Sequence, residues 1–498
     1  MNLIRSNKLM RLNKLIGQNK WLIAIVIFGS ALRLLWIYMV DTQPIFDFKH
    51  YHDLAMSLLT VGDYAMPEGL DYIKQSTAYI QTGVHYPTAF RPPGYPFFLV
   101  LLYAVYPSIL AAKIANVGLC AVWMLCIYWL GKRFLGHRVG LGAAFLTAVF
   151  PPAVYYCSVV GTEIISVTLL LIVLCLQLSH FGGRWGNPLL LGSLLGFLAL
   201  VKPYFAVFPV IYLVIAWWLS REGKGVNHPA APGMKTMGLL KDFLRDLLRW
   251  LKPAAVSLLC LAGMMAVVIS PWTLRNYVAF ERFVPISTNG SFVLYQNNHD
   301  LNEGRTMDVM LVPNSIFKTD RILNAEGVYN EPDAMKLAKK EAMQWIASHK
   351  GEYLLLGLKR LGQSYFTIGI ESWGWSMATA KLRFNEKYAD PLILGARASG
   401  LVVGGGGLIY AILVMYFYLR RRPLKVLHKI NLLFIVFFTL IIFATEGQPR
   451  YMFPLYPFFI LGICWMVDRL AAGLGKEGPV DSLDITTDGD KLGIAAEK

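Results

Sequence analysis

Asp47, Tyr51 and Asp53 stand together in PIFDFKHYHDLA, and Arg91 and Tyr95 follow in AFRPPGYPFF. They come directly behind the run Trp21 to Val40, which is apolar apart from Arg33. That run can cross a bilayer, which takes about 20 residues. A carboxylate and a guanidinium at a membrane surface point to chemistry at the lipid–water boundary rather than to simple anchoring. More polar residues stand at the ends of later apolar runs, several beside proline: Glu163, Lys202, Arg275 with Asn276, the stretch 285–304 with Asn297, and Arg450 with Tyr451. One or two carboxylates facing several cations suit transfer from a phosphate leaving group. The carboxylate takes a proton from the nucleophile while Arg and Lys stabilise the charge growing on phosphate.

The elements that must position these residues are membrane helices. Hydrophobic residues make up 56% of the 498 and charged ones 16%, against about 25% charged in average usage. The mean hydropathy is +0.48. The apolar segments are long continuous runs rather than short alternating ones, which excludes a β-barrel. The fold class expected is an all-α polytopic membrane bundle. Its net charge of +16 comes from basic residues clustered in short loops between spans, an orientation signal rather than a nucleic-acid footprint. The six cysteines lie in or beside apolar runs without CxxC or metal-ligand spacing, and free Cys packs as a small hydrophobe. His50, His52, His85 and His299 lack ordered metal spacing and read as loop histidines. The expected metal ligands are none, although a divalent cation stays open as a cofactor.

Basic residues before the first run place the N-terminus in the cytoplasm. Spans are expected near 21–40, 111–131, 139–156, 163–179, 188–201, 204–219, 253–271, 393–418, 427–444 and 451–467, about ten crossings. Residues 94–110 read as an interfacial or re-entrant helix. The segment 352–370 carries Lys359 and Arg360 at its centre, where charge is costly in a membrane, so it is laid along the outer interface. Four regions result: 1–271, an N-terminal membrane module with outer loop 41–110 and cytoplasmic loop 221–252; 272–390, an outer cap; 391–467, the C-terminal spans; and 468–498, a disordered cytoplasmic tail.

The ordered set of Asp47 with Tyr51, AFRPPGYP, GTE at a span start, ALVKPYF, PWTLRNYVAFERFVPISTNGSFVLYQNN and PRYMFPLYPF resembles the GT-C glycosyltransferases. Within them it is most similar to the family 39/83 set, related to protein O-mannosyltransferases and lipid A aminoarabinose transferases. The resemblance implies a helical bundle with an outward-facing cleft formed by outer loops, in the plasma (inner) membrane. It also implies inverting transfer of a sugar from a polyprenyl phosphate to a glycan, lipid or protein acceptor. Asp47, Asp53 and Glu163 are then the candidate catalytic residues. Tyr51, Arg91, Tyr95, Lys202, Arg275, Asn297, Arg450 and Tyr451 are the candidate substrate contacts. Two positions depart from the family pattern. Phe48 stands where many relatives carry a second acid, and Lys202 replaces an arginine, losing the two-point fork.

Each candidate also has a plainer role. Asp47 could cap a helix, Glu163 could favour a helix dipole, and Arg91, Lys202 and Arg450 could anchor at the interface. Rival activities are an oligosaccharide polymerase or ligase using lipid diphosphates, and a non-enzymatic transporter of lipid-linked sugars. No internal repeat favours the transporter.

Overall fold

The computed structural model describes residues 2–66, 86–179, 187–222, 236–305, 307–312, 314–323, 329–366, 381–383, 386–420 and 422–473. The chain begins with helix α1 (Asn2–Met39), which ends in the short strand β1 (Val40–Asp41). Helix α2 (Phe46–Thr60), the strand pair β2 (Ala65–Met66) and β3 (Tyr86–Pro87), and helix α3 (Gly94–Val105) form the first excursion between spans. There follow α4 (Ile109–Phe134), α5 (His137–Val149), α6 (Pro151–Tyr155), α7 (Thr162–Ser179), α8 (Pro188–Val201), α9 (Phe208–Glu222) and α10 (Thr236–Phe280). The segment after α10 holds α11 (Asn289–Asn297), α12 (Glu331–Ser348), α13 (Lys350–Phe366) and strand β4 (Lys381–Leu382). Helices α14 (Ala389–Leu419), α15 (Val426–Ala444) and α16 (Tyr456–Gly473) complete it.

The expected all-α polytopic architecture is present. Among the described residues, eight helices are long and apolar enough to cross a membrane, or nine if α5 and the segment Pro151–Ser158 count as one span bent by 57°. Helix α8, expected as a tenth, has 14 residues. At 1.5 Å per residue it reaches about 21 Å, short of the roughly 30 Å hydrocarbon core. Gly192 and Gly196 let α8 lie directly against α10: a Cβ at Gly192 would stand 2.5 Å from the Leu261 carbonyl oxygen, and one at Gly196 would stand 2.9 Å from Val268. Small residues four apart permit this approach in apolar surroundings.

Two buried arginines explain charges inside apolar segments. Arg33 is fully buried, and its guanidinium donates to the carbonyls of Gly29, Ala148 and Thr147, each at 2.9 Å. Pro151 and Pro152 lack the N–H groups that would continue α5, so Arg33 supplies partners to carbonyls at its end. Arg360 of α13, also fully buried, does the same for α15. It donates to the carbonyls of Phe443 at 3.1 Å and Ala444 at 3.4 Å, and to Asn298 Oδ1 at 2.9 Å. Lys359 beside it is exposed. The segment 352–370 thus falls mainly on α13, which is not among the helices apolar enough to span; residues 367–370 lie outside the described residues.

The strands do the tying. β1 pairs with β4, joining the end of α1 to the segment before α14, and β2 pairs with β3 at the base of the first excursion. Helix α16 runs to Gly473, so residues 468–473 of the expected tail continue the last helix, and the rest lies outside the described residues.

Candidate active site

Asp47 occupies the first turn of α2, where the helix dipole favours a carboxylate. The residue before it, Phe46, has a φ of 46°, a left-handed conformation rare for a bulky side chain. The turn therefore stores strain immediately before the candidate base. Asp47 Oδ1 accepts from Arg91 Nη2 at 2.5 Å and Oδ2 accepts from Arg450 Nη2 at 2.7 Å. One carboxylate between two guanidiniums leaves a net positive site, which invites a further anion. The Asp47 side chain is 23% exposed while Arg91 and Arg450 are 9% and 10% exposed, so the acid end reaches solvent and the cations form the wall. Burial alone would raise the Asp47 pKa, but Arg91 and Arg450 outweigh it and hold the carboxyl well below the usual range.

His50 lies one turn along α2, on the same face as Asp47. Its Nδ1 accepts from Arg91 Nε at 3.2 Å, so Arg91 is gripped from two positions of one helix. His50 and His52 are therefore helical rather than loop residues, and His50 belongs to the site. His52 turns away to the Tyr103 hydroxyl at 3.0 Å, and His299 contacts the Gln296 carbonyl at 3.1 Å. His85 lies outside the described residues.

Aromatic rings pack the cations in place. The Arg91 guanidinium lies 4.8 Å from the Phe90 ring centre and 5.9 Å from that of Tyr51. Arg450 lies 5.8 Å from Phe48 and 5.4 Å from Tyr451. Tyr51 meets Tyr95 edge-on at 5.4 Å. Burial pushes the Tyr51 hydroxyl up to about 12, keeping it a neutral donor. The Tyr451 hydroxyl donates to Glu446 Oε2 at 2.5 Å, and Gln448 Nε2 donates to Glu446 Oε1 at 2.6 Å. Glu446 thus fixes the turn that delivers Arg450.

A second ion pair adjoins the first. Lys202, at the end of α8, donates to Glu163 Oε1 in the first turn of α7 at 3.3 Å. It also lies 5.8 Å from the Tyr451 ring. Glu163 is only 4% exposed, and its Oε2 has no hydrogen-bond partner among the described residues. A Cβ on Gly161 would stand 2.7 Å from that oxygen and 2.9 Å from Phe48. Glycine there lets Phe48 and Glu163 close together at the back of the Asp47 turn. The Tyr95 hydroxyl is likewise buried and unpartnered among the described residues.

Three sequence candidates are placed elsewhere. Asp53 pairs with Lys49 at 2.6 Å along α2, away from the guanidiniums. Asn297 donates to the Val293 carbonyl of its own helix at 2.9 Å. Arg275 donates to the carbonyls of Tyr64 at 2.7 Å and Thr88 at 2.9 Å, so its guanidinium ties down the first excursion. Glu331 in α12 shares that task and was missed. Its Oε1 accepts from the Ala89 amide at 3.0 Å and from Thr288 Oγ1 at 2.7 Å, and its Oε2 accepts from Thr88 Oγ1 at 2.6 Å. Burial raises its pKa against the pull of these bonds. For His50 the signal was its spacing from Asp47; for Glu446 it was the EGQPRY run. Nothing in the sequence pairs Glu331 with residues 88–91.

Among the described residues, no group of three or more His, Cys, Asp or Glu side chains could hold a metal ion. Both Asp47 oxygens face guanidiniums, and Phe48 fills the neighbouring position. These donors do not fit a divalent cation.

Residues 90–231 match the family model for dolichyl-phosphate-mannose-protein mannosyltransferase, among the kin that the motifs resemble. No curated protein matches the chain in sequence. Among solved structures, the chain is similar to the Archaeoglobus fulgidus oligosaccharyltransferase complexed with zinc and sulfate. They share 12% identity at a TM-score of 0.48, over 91% of this chain and 49% of that one. The present chain thus spans about half the length of that enzyme. It is also similar to ArnT from Cupriavidus metallidurans bound to undecaprenyl phosphate, at 13% identity and a TM-score of 0.40, over 91% of this chain and 79% of that one.

Proposed function

We propose that this chain is a membrane-embedded GT-C glycosyltransferase that moves a sugar from a polyprenyl phosphate to an acceptor hydroxyl or amine at the outer face. The observation that carries the reading is Asp47 held between Arg91 and Arg450 by its two oxygens. The family match over residues 90–231 supports the reaction class.

In the free protein both guanidiniums hold Asp47 ionised and weakly basic. The lipid phosphate competes for the same cations. As Arg91 and Arg450 turn part of their hydrogen bonding to phosphate, Asp47 loses neutralising charge and its basicity rises. It then takes the proton from the acceptor as the acceptor oxygen or nitrogen bonds to the anomeric carbon. The bond from that carbon to the phosphate oxygen breaks, and the lipid phosphate leaves with the electron pair beside the two arginines. A single in-line displacement inverts the configuration. Lys202, held by Glu163 beside the Tyr451 ring, then receives polar groups of the sugar or acceptor.

The test is release of labelled sugar from polyprenyl phosphate by purified protein in lipid, with candidate acceptor fractions. Transfer from the monophosphate lipid supports the reading. Transfer only from lipid diphosphates would move the protein to polymerase or ligase chemistry, and binding without transfer would favour a carrier.

A further inference from the structure

The Arg91 guanidinium is gripped by Asp47 and His50, but its backbone is seated by a separate set of contacts centred on α12. Glu331 accepts three hydrogen bonds, from the Ala89 amide, Thr88 Oγ1 and Thr288 Oγ1. Thr288 returns a backbone bond from its amide to the Ala89 carbonyl at 3.0 Å. The Phe90 amide donates to Thr88 Oγ1 at 3.0 Å, and the Tyr64 hydroxyl donates to the Arg91 carbonyl at 2.9 Å. Glu331 is 4% exposed and comes from a helix more than 240 positions downstream of Thr88, beyond the last residue of α10. A buried carboxylate in this setting is expensive unless its lone pairs are filled. Here the segment that carries Arg91 supplies two of the three donors, and Thr288 supplies the third.

We propose that Glu331 is a positioning residue for the transfer reaction: it seats residues 88–90 so that the Arg91 fork meets Asp47 and the lipid phosphate. The clamp makes the segment after α10 part of the active site without contributing a group that touches the substrate. Replacing the carboxylate with an amide leaves one oxygen acceptor and puts a donor where Thr88 Oγ1 also donates, so residues 88–90 lose their fixed seat. A displacement of about 1 Å at a positioned cation is enough to lower turnover on the order of 10²-fold.

This inference rests on the proposed role of Arg91, and its test uses the full-length protein in lipid or detergent. The first measurement is hydrogen exchange across 88–91, which needs no substrate. Glu331→Gln should speed exchange of the Ala89 and Phe90 amides while the spanning helices stay protected. The second is a double-mutant cycle on transfer from polyprenyl phosphate. Glu331→Gln should reduce turnover about tenfold or more in the native background and less than about twofold in an Arg91→Gln background, because residues acting through one another are non-additive. A purely structural role predicts equal losses in both backgrounds, and that result overturns the proposal. Unchanged exchange at 88–91 also overturns it. Should Glu331→Gln not fold, Thr288→Val removes one donor at nearly constant volume and carries both measurements. Absence of transfer by the native protein would sink the functional reading, while the exchange measurement would still decide whether Glu331 seats the segment.

Discussion

At the residue scale the candidate site is an anion–cation triad, Asp47 held between Arg91 and Arg450. Asp47→Asn keeps the size and removes the basic oxygen, so turnover should fall about 10²–10⁴-fold. Near-native turnover by the folded variant would remove Asp47 as the base. Because Arg91 and Arg450 hold the Asp47 pKa down, its contribution to stability is present above the ordinary aspartate value of about 3.9 and is lost as pH falls through the depressed one. The same depression gives a kinetic signature. The pH profile of kcat/KM, which reports the free enzyme, should show no acid limb from Asp47 above about pH 4, whereas the limb in kcat should lie higher once phosphate engages the arginines. Coincident limbs would contradict competition for the guanidiniums. Arg91→Gln should lower kcat about 10²–10³-fold, as for loss of one preorganised donor. Arg91→Lys should recover only part, because an ammonium cannot bond Asp47 and His50 from one planar fork. Full activity with lysine would return Arg91 to the role of interface anchor. His50 was legible in principle from its spacing on α2, yet a histidine in a polar run carries no mark of its partner until Arg91 is brought across.

At the element scale, helix ends set the geometry. The bend of 57° between α5 and the segment Pro151–Ser158 leaves carbonyls that Arg33 fills, and α15 ends on carbonyls that Arg360 fills. Arg33→Met keeps much of the volume but abandons those acceptors, each unsatisfied buried group costing about 1–3 kcal/mol. The expected outcome is a lower melting temperature and yield in detergent, with transfer per folded molecule preserved. A native melting curve would show that the buried guanidinium is dispensable. Periodicity and hydropathy made the long helices legible. They did not reveal why charges sit inside α1 and α13, because the carbonyls that justify them belong to helices distant in the chain.

At the scale of the whole molecule, Asp47, Arg91, Glu163, Lys202 and Arg450 come from five separate stretches and converge on one site. The topology proposed from the basic loops counts α8 as a crossing, since Lys202 at its end pairs with Glu163 at the start of α7, and it puts 272–390 outside and 221–252 in the cytoplasm. A single cysteine at exposed Glu303, beside buried Asn302, should label from outside intact cells and one at Gly225 should not, in a background with the six native cysteines replaced. Labelling at position 225 from outside would reverse the arrangement. The sequence by itself determined the helical membrane class and named Asp47, Arg91 and Arg450 among its candidates, because apolar run length and ordered motifs are local properties of the chain; that these three pair came from the structure. Only the tertiary structure decided that Asp53, Arg275 and Asn297 stand apart from the Asp47 ion pairs and that His50, Glu446 and Glu331 support them. Which buried polar atoms find partners depends on how distant helix ends pack, and linear order does not encode that directly.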